Sequence, residues 1–78
     1  ERRKDLVRIV RKKVEEGRVA IRNVRRAALE KLREVQKAKE ISEDDQKRAE
    51  KQLQELTDKY IAKVDEVGKE KESEVLES

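Results

Sequence analysis

The sequence lacks cysteine, histidine, proline, methionine, tryptophan and phenylalanine, and its 78 residues include only two glycines and one tyrosine. Without cysteine or histidine, the usual ligands of zinc are missing, and the chain can neither form a disulfide nor use a thiol as a nucleophile. Histidine is also the commonest general base, and the sequence has neither a glycine-rich phosphate-binding loop nor a nucleophile paired with a base. We therefore expect a protein that is not an enzyme, with no catalytic residue, no metal site and no cofactor.

Long apolar segments are absent as well. No stretch of about 18 apolar residues occurs, and the first residues do not show the charged and then apolar pattern of a secretory leader. We therefore expect no membrane partner and, since cysteine is absent as well, a location in a reducing cytoplasm or an organelle matrix.

Helix-forming residues dominate what the sequence does contain. Charged residues make up 53% of the chain and apolar residues 33%, a composition that suits a folded protein only if the apolar residues recur with one period. In the first half they form a row with seven-residue spacing and a second row beside it. The first row is Val7, Val14, Ile21, Ala28 and Val35, and the second is Val10, Gly17, Val24 and Ala38. This spacing predicts an amphipathic helix, and the glycine in the row predicts close approach of another backbone.

A second amphipathic segment follows a polar turn. Its apolar residues step by three or four, as in another helix; they are Ala49, Leu53, Leu56, Tyr60, Val64 and Val67, with Ile61 and Ala62 beside them. Ser42 can cap this helix, and the acidic residues after it suit the helix dipole. We predict an all-α fold, an antiparallel two-helix hairpin with a helix over about residues 1–39, a turn at 40–42 and a helix over about 43–75. Both apolar stripes are wide enough for a helix with two neighbours.

Charge is distributed unevenly along the chain. Residues 1–26 contain 11 basic and 4 acidic side chains, a net charge of +7, whereas residues 27–78 contain 11 basic and 15 acidic ones, a net charge of −4. Four arginines of the first segment are spaced so that they fall along one flank of the first helix; they are Arg11, Arg18, Arg22 and Arg25. The overall charge of +3 therefore conceals a basic first helix and an acidic second one.

Two interpretations of this arginine stripe are open. A run of charge on a helix is often only a solvated face whose long side chains shield the apolar seam. Arginine, however, outnumbers lysine among the basic residues of the first segment, and its planar guanidinium suits bidentate contacts with phosphate. With few acidic neighbours and no aromatic residue in the first segment, the stripe favours binding to the phosphate backbone of folded or duplex nucleic acid.

Four segments carry motifs that point to a known family. They are Glu1-Arg2-Arg3-Lys4-Asp5-Leu6, the block Arg18-Val19-Ala20-Ile21-Arg22-Asn23-Val24-Arg25-Arg26, the turn Lys39-Glu40-Ile41-Ser42-Glu43-Asp44-Asp45, and Leu56-Thr57-Asp58-Lys59-Tyr60-Ile61. Together, and in this order, they resemble the ribosome-recycling factor family of bacteria and organelles. The resemblance covers nearly the whole chain.

The resemblance implies a larger fold of which this chain is a part. In the family, domain I is a three-helix bundle, and a small β domain, domain II, is inserted after its first helix. This chain resembles the part of domain I that follows the insertion, so we expect both the first helix of the bundle and domain II to be absent from it. If the first helix of the bundle is absent, each remaining helix lacks one of its two neighbours, which would also explain why the apolar stripes are so wide.

The resemblance also implies a function in translation. Factors of this family bind the large ribosomal subunit through domain I and, with elongation factor G, split ribosomes after termination; they catalyse no bond change. The family's Arg-Asn-Val-Arg-Arg block falls on Arg22, Asn23, Arg25 and Arg26, and rRNA contacts carry over to the last two. With Arg11 and Arg18, which come from the stripe alone, these residues form the predicted rRNA-binding set. The predicted partners are large-subunit rRNA and, through the intact factor, elongation factor G.

A different class of function remains open. The chain could be a structural helical hairpin that self-associates or binds partner helices and has no nucleic-acid role. Exposed apolar stripes on a two-helix unit favour association, since an unfinished core behaves like an interface. The arginine stripe would then serve only solvation.

Overall fold

The computed structural model describes residues 1–77 as two long α-helices joined by a short turn. Helix α1 spans Arg2–Lys37 and helix α2 spans Glu43–Glu77. The helices run antiparallel and form a rod with extents of 57 × 15 × 9 Å. The predicted all-α, two-helix hairpin is confirmed. Within residues 1–77, neither helix has a segment long and apolar enough to cross a membrane.

Helix α1 ends at Lys37, two residues earlier than the sequence suggested, because a Schellman motif closes it. The amide of Glu40 donates to the carbonyl of Val35 at 2.9 Å, and the amide of Lys39 donates to the carbonyl of Gln36 at 2.9 Å. Lys39 has a φ of 61°, in the left-handed region where glycine is usual at this position. The chain therefore reverses direction at a lysine whose backbone is strained.

Helix α2 begins with a reciprocal cap. The amide of Asp45 donates to Ser42 Oγ at 3.0 Å, and the amide of Ser42 donates to Asp45 Oδ2 at 3.4 Å. This is a capping box with Asp where Glu or Gln is usual. Glu43 and Asp44 add negative charge to the first turn, where the helix dipole favours it. The cap that the sequence indicated at Ser42 is confirmed.

The helices meet along a narrow seam, in which no apolar side chain of residues 1–77 is fully buried. The half-buried apolar residues are Val7, Val10, Val14, Ile21, Ala28, Leu29, Leu32 and Val35 of α1, and Ala49, Leu53, Ile61, Val64 and Val75 of α2. The prediction that Val24 lies in this seam is wrong, because its side chain is 69% exposed; Ala38 is also exposed, at the end of α1. Arg25 takes the seam position instead, because a helix with about 3.6 residues per turn drifts away from a seven-residue repeat.

A valine side chain of the other helix packs against each of the two glycines. A β-carbon at Gly68 would lie 2.5 Å from Cγ2 of Val14, and one at Gly17 would lie 3.4 Å from Cγ1 of Val64. The expectation of a neighbouring backbone at Gly17 is therefore wrong, since the group that packs there is a valine side chain. At both positions the missing side chain makes room for a valine of the other helix.

One side of the hairpin carries large apolar residues that the rest of the described chain leaves uncovered. This apolar side comprises Leu6, Ile9, Val24, Leu56, Tyr60 and Val67. Two grooves between the helices open onto it, with volumes of about 400 and 280 Å³. The apolar stripe of each helix is thus wider than the area that the other helix covers. Tyr60, which we expected to be packed within the stripe, is 55% exposed.

Candidate nucleic-acid interface

The predicted binding residues lie on α1 in two groups. The first group lies beside the seam and contacts side chains of α2, with seven-residue spacing: Arg11, Arg18 and Arg25. The second group is exposed and lies further round the helix: Arg22, Asn23 and Arg26. The structure therefore divides the predicted set into side chains that contact α2 and side chains that do not, and it separates Arg22 from the other arginines of the stripe.

Arg11 and Arg18 are paired with carboxylates of α2. Arg11 Nε donates to Glu72 Oε1 at 2.5 Å, and Arg18 Nε donates to Asp65 Oδ1 at 2.8 Å. Arg18 Nη1 also donates to Glu15 Oε2 of its own helix at 3.2 Å. A guanidinium that already faces a carboxylate presents less net charge to a phosphate. These two arginines therefore link the helices.

The Arg18–Asp65 pair is partly shielded from solvent. Its side chains are 34% and 36% exposed, whereas the Arg11 side chain is 73% exposed. The hydrogen bond to Asp65, acting against the opposing effect of burial, raises the pKa of Arg18 above its usual value. Arg18 is therefore a fixed cation that α2 holds in place.

Arg25 also reaches α2, but its partner is an uncharged amide. Arg25 Nη1 donates to Gln54 Oε1 at 2.9 Å, and Gln54 Nε2 donates to Asp58 Oδ1 at 2.8 Å. Arg25 is half-buried, and its Nε is buried without a hydrogen-bond partner. Arg25 thus differs from the other two seam arginines because no carboxylate of residues 1–77 forms an ion pair with it.

The second group is free of partners. Arg22, Asn23 and Arg26 are exposed and make no side-chain hydrogen bond or ion pair within residues 1–77, and Arg33 further along the helix is in the same situation. An unpaired guanidinium keeps all its donors available. These residues are therefore the groups on this flank of α1 that can bind an anion without first breaking a contact.

Sequence reasoning missed the residues of α2 that organise this surface. Three acidic residues of α2 repeat with the same seven-residue spacing as the seam arginines; they are Asp58, Asp65 and Glu72. In an antiparallel hairpin, two such series of opposite charge on facing flanks come into register. The matching spacing was a signal that could have revealed the two ion pairs. Gln54 gave no signal, since glutamine is an ordinary residue of helix surfaces.

The arrangement suits electrostatic binding to one flank of the hairpin. Within residues 1–77, no group of three or more acidic side chains is placed to hold a metal ion. Unpaired arginines lie on the outer flank of α1, whereas the carboxylates of Asp65 and Glu72 lie across the seam. A phosphate backbone is attracted to the former and repelled by the latter. The site therefore favours a polyanion that lies along this flank of α1 rather than over α2.

Comparisons with known proteins show where the chain belongs. The family described as "Ribosome recycling factor" matches residues 1–76. The ribosome-recycling factor of Thermomicrobium roseum is 57% identical over 77 residues, which cover 99% of this chain and 42% of that protein. Those of Thermus thermophilus and Alcanivorax borkumensis are 58% and 55% identical over 76 residues, which cover 97% of this chain and 41% of each protein.

These matches include both helices and the turn, although the chain spans only about two fifths of the length of these relatives. They also include every residue of the arginine stripe. A family match over residues 1–76 with identities of 55–58% shows that the chain belongs to the ribosome recycling factor family.

Proposed function

We propose that this chain is part of domain I of a ribosome-recycling factor and binds large-subunit rRNA through phosphate contacts from α1. In the intact factor, domain I would act with elongation factor G to split ribosomes after termination, without catalysing a bond change. The observation that carries the proposal is the presence of exposed, unpaired arginines, Arg22 and Arg26, on the basic helix of a member of this family.

Phosphate binding is the chemistry that this flank of α1 supports best. Guanidinium groups make forked hydrogen bonds to phosphate oxygens, and a basic flank concentrates a polyanion near the helix. Helix α1 contains no aromatic residue, so stacking on unpaired bases does not contribute. We place the block 22–26 at the centre of the contact, with Asn23 as an uncharged donor. Arg11 and Arg18 would contribute less, because carboxylates already face them.

The apolar side supports the proposal that the hairpin belongs to a three-helix bundle. Its larger groove is lined by valines and Ile9, and it is rimmed by three lysines, Lys13, Lys63 and Lys71. An amphipathic helix with acidic flanking residues would complement this groove in both polarity and charge. We propose that the first helix of domain I occupies it and that domain II lies outside this chain. The relatives are more than twice as long as the matched segment, so they contain enough chain for both.

Binding to isolated large ribosomal subunits at several salt concentrations tests the RNA proposal. If about four to six phosphates are engaged, the logarithm of the affinity should fall against the logarithm of the salt concentration with a slope of roughly −4 to −5. Arg22→Gln and Arg26→Gln should each lower the affinity and reduce the magnitude of the slope by about 0.7–0.9. Arg48→Gln is the matched control, since Arg48 is exposed on α2 and pairs only with Asp45 of its own helix.

Two results would contradict the RNA proposal. One is an affinity that does not depend on salt. The other is binding that survives the change of Arg22, Arg25 and Arg26 to Glu together. Circular dichroism of each variant separates a loss of binding from a loss of helix.

A second candidate function is self-association through the apolar side. The exposure of Leu56 and Tyr60, 49% and 55%, favours it, because contiguous exposed apolar residues mark interaction surfaces. Sedimentation of the chain and of a Val24→Lys, Leu56→Lys double variant distinguishes the candidates. A discrete oligomer that lacks affinity for the large subunit and dissociates in the double variant would favour the structural role. Subunit binding that persists in a monomeric double variant would favour the RNA role.

A further inference from the structure

The three seam arginines form a series whose last member has a different kind of partner. Moving along α1 from Arg11 to Arg18, the partner on α2 moves seven residues back, from Glu72 to Asp65. Seven residues further along α1 lies Arg25, and seven residues further back on α2 lies Asp58, so this spacing predicts a third ion pair between them. Asp58, however, accepts a hydrogen bond from Gln54, and the Gln54 amide oxygen accepts from Arg25. An uncharged side chain thus stands between the third arginine and the third carboxylate.

An amide and a carboxylate differ in what they do to a bound guanidinium. Both accept a hydrogen bond and fix the position of the side chain, but only the carboxylate cancels its charge. Arg11 and Arg18 are therefore held and neutralised, whereas Arg25 is held and stays a net cation. Arg25 is also the seam arginine that lies inside the block 22–26, between the free arginines Arg22 and Arg26.

We propose that Gln54 is a positioning residue for RNA binding, which fixes the guanidinium of Arg25 on the flank of α1 and leaves its charge available to a phosphate. This inference rests on the proposed function. The Nη1 of Arg25 is used by Gln54, and the Nη2 makes no hydrogen bond within residues 1–77. Nη2 and the second hydrogen of Nη1 are the donors left for the phosphate.

Asp58 completes the arrangement through Gln54. Because Gln54 Nε2 donates to Asp58 Oδ1, the amide oxygen of Gln54 is turned towards Arg25. The carboxylate thereby orients the amide without reaching the guanidinium. Part of the rotamer freedom of Arg25 is lost when the hairpin folds, so less is lost when RNA binds.

The test exchanges the partner types of two seam arginines and measures binding to isolated large subunits against salt. Gln54→Glu turns the Arg25 contact into an ion pair like that of Arg18, so the magnitude of the salt slope should fall by about 0.7–0.9 and the affinity should drop. Asp65→Asn replaces the carboxylate that faces Arg18 across the seam by an amide, but Glu15 still pairs with Arg18, so the magnitude of the slope should stay the same or rise by up to about 0.9. Gln52→Glu is the matched control, because it adds the same charge at an exposed position of α2 away from the seam; its slope should match that of the unchanged chain.

A third variant separates positioning from hairpin stability. Gln54→Met keeps the length of the side chain and removes the hydrogen bonds, so the affinity should fall while the slope stays unchanged, since Arg25 keeps its charge. Thermal unfolding should place Gln54→Glu at or above the stability of the unchanged chain, so its weaker binding would not reflect unfolding.

Two outcomes would overturn the inference. If Gln54→Glu binds with the affinity and slope of the unchanged chain, or only as weakly as Gln52→Glu, Gln54 has no role towards phosphate, although the proposed function would stand. If the unchanged chain shows no salt-dependent binding to the large subunit, the proposed function and the inference both fail.

Discussion

Val14 of α1 packs directly against Gly68 of α2, so closely that a β-carbon at Gly68 would lie 2.5 Å from Cγ2 of that valine. Real β-carbons do not approach other atoms this closely, so either the Val14 side chain or one of the two helices would have to shift. Gly68 is also one of only two buried residues in α2. The packing of the two helices around Val14 therefore depends on the absence of a side chain at Gly68.

We expect Gly68→Ala to destabilise the hairpin by about 1–3 kcal/mol, the usual cost of overpacking a close contact. This is the reverse of the effect of Gly→Ala in an isolated helix, where alanine is favoured by about 1 kcal/mol. Thermal or urea unfolding followed by circular dichroism measures the change.

Gly17→Ala is the matched control for this prediction. Its β-carbon would meet Val64 at 3.4 Å, a tight contact rather than a clash, so helix propensity should offset most of the packing cost and the net effect should stay within about 1 kcal/mol. Val14→Ala should relieve Gly68→Ala in the double variant. Additive effects of the two changes would contradict the proposed contact.

The left-handed backbone of Lys39 predicts that glycine stabilises the turn. A residue with a β-carbon is disfavoured at a φ of 61°, so Lys39→Gly should raise the free energy of unfolding by about 0.5–1 kcal/mol. Lys37→Gly, in the last helical turn of α1, should lower it by about 0.5–1 kcal/mol. Equal effects of the two glycines on the melting temperature would show that the backbone of Lys39 is not strained.

The cap of α2 predicts a loss of stability when its hydroxyl is removed. Ser42→Ala leaves the amide of Asp45 without its partner and should cost about 1 kcal/mol. Ser73→Ala removes a hydroxyl that only donates to Glu77 on an exposed surface, so it should change stability by less than about 0.5 kcal/mol. A similar melting temperature for the two variants would count against the capping role.

The two ion pairs across the seam should differ in their response to salt. The side chain of Arg18 is largely shielded from solvent, whereas that of Arg11 is largely exposed. Salt screens exposed ion pairs more strongly than shielded ones. We expect double-mutant cycles to give a larger coupling for Arg18 with Asp65 than for Arg11 with Glu72, and a smaller decrease between low and high salt. The reverse order would indicate that solvent exposure does not govern these pairs.

Several features of the fold were predictable because they depend on nearby residues. The cap at Ser42 was predictable because serine is a favoured residue at that position and the amide that it caps is only three positions further on. The end of α1 was placed two residues too late, because a lysine at Lys39 gives no sign that it will adopt the conformation usual for glycine. Val24 was wrongly placed in the seam, because residues seven positions apart on a straight helix turn gradually away from the seam.

The sequence predicted that the candidate binding residues share one helix, but it could not predict their individual partners. The spacing of the arginines placed them on α1, yet it could not separate Arg18, which is paired, from Arg22, which is free. The spacing of charged residues gave no indication of the role proposed for Gln54, because that role depends on its hydrogen bonds with Arg25 and Asp58.

The sequence by itself determined the two helices, the turn between them and the sign of the charge on each, because propensity, capping and periodicity act over a few residues. The tertiary structure alone decided which arginines are neutralised, which one is held by an amide and which remain free. The partners of Arg11, Arg18 and Arg25 are 61, 47 and 29 positions away along the chain. They meet only because valines packed against Gly17 and Gly68 set the register of the two helices.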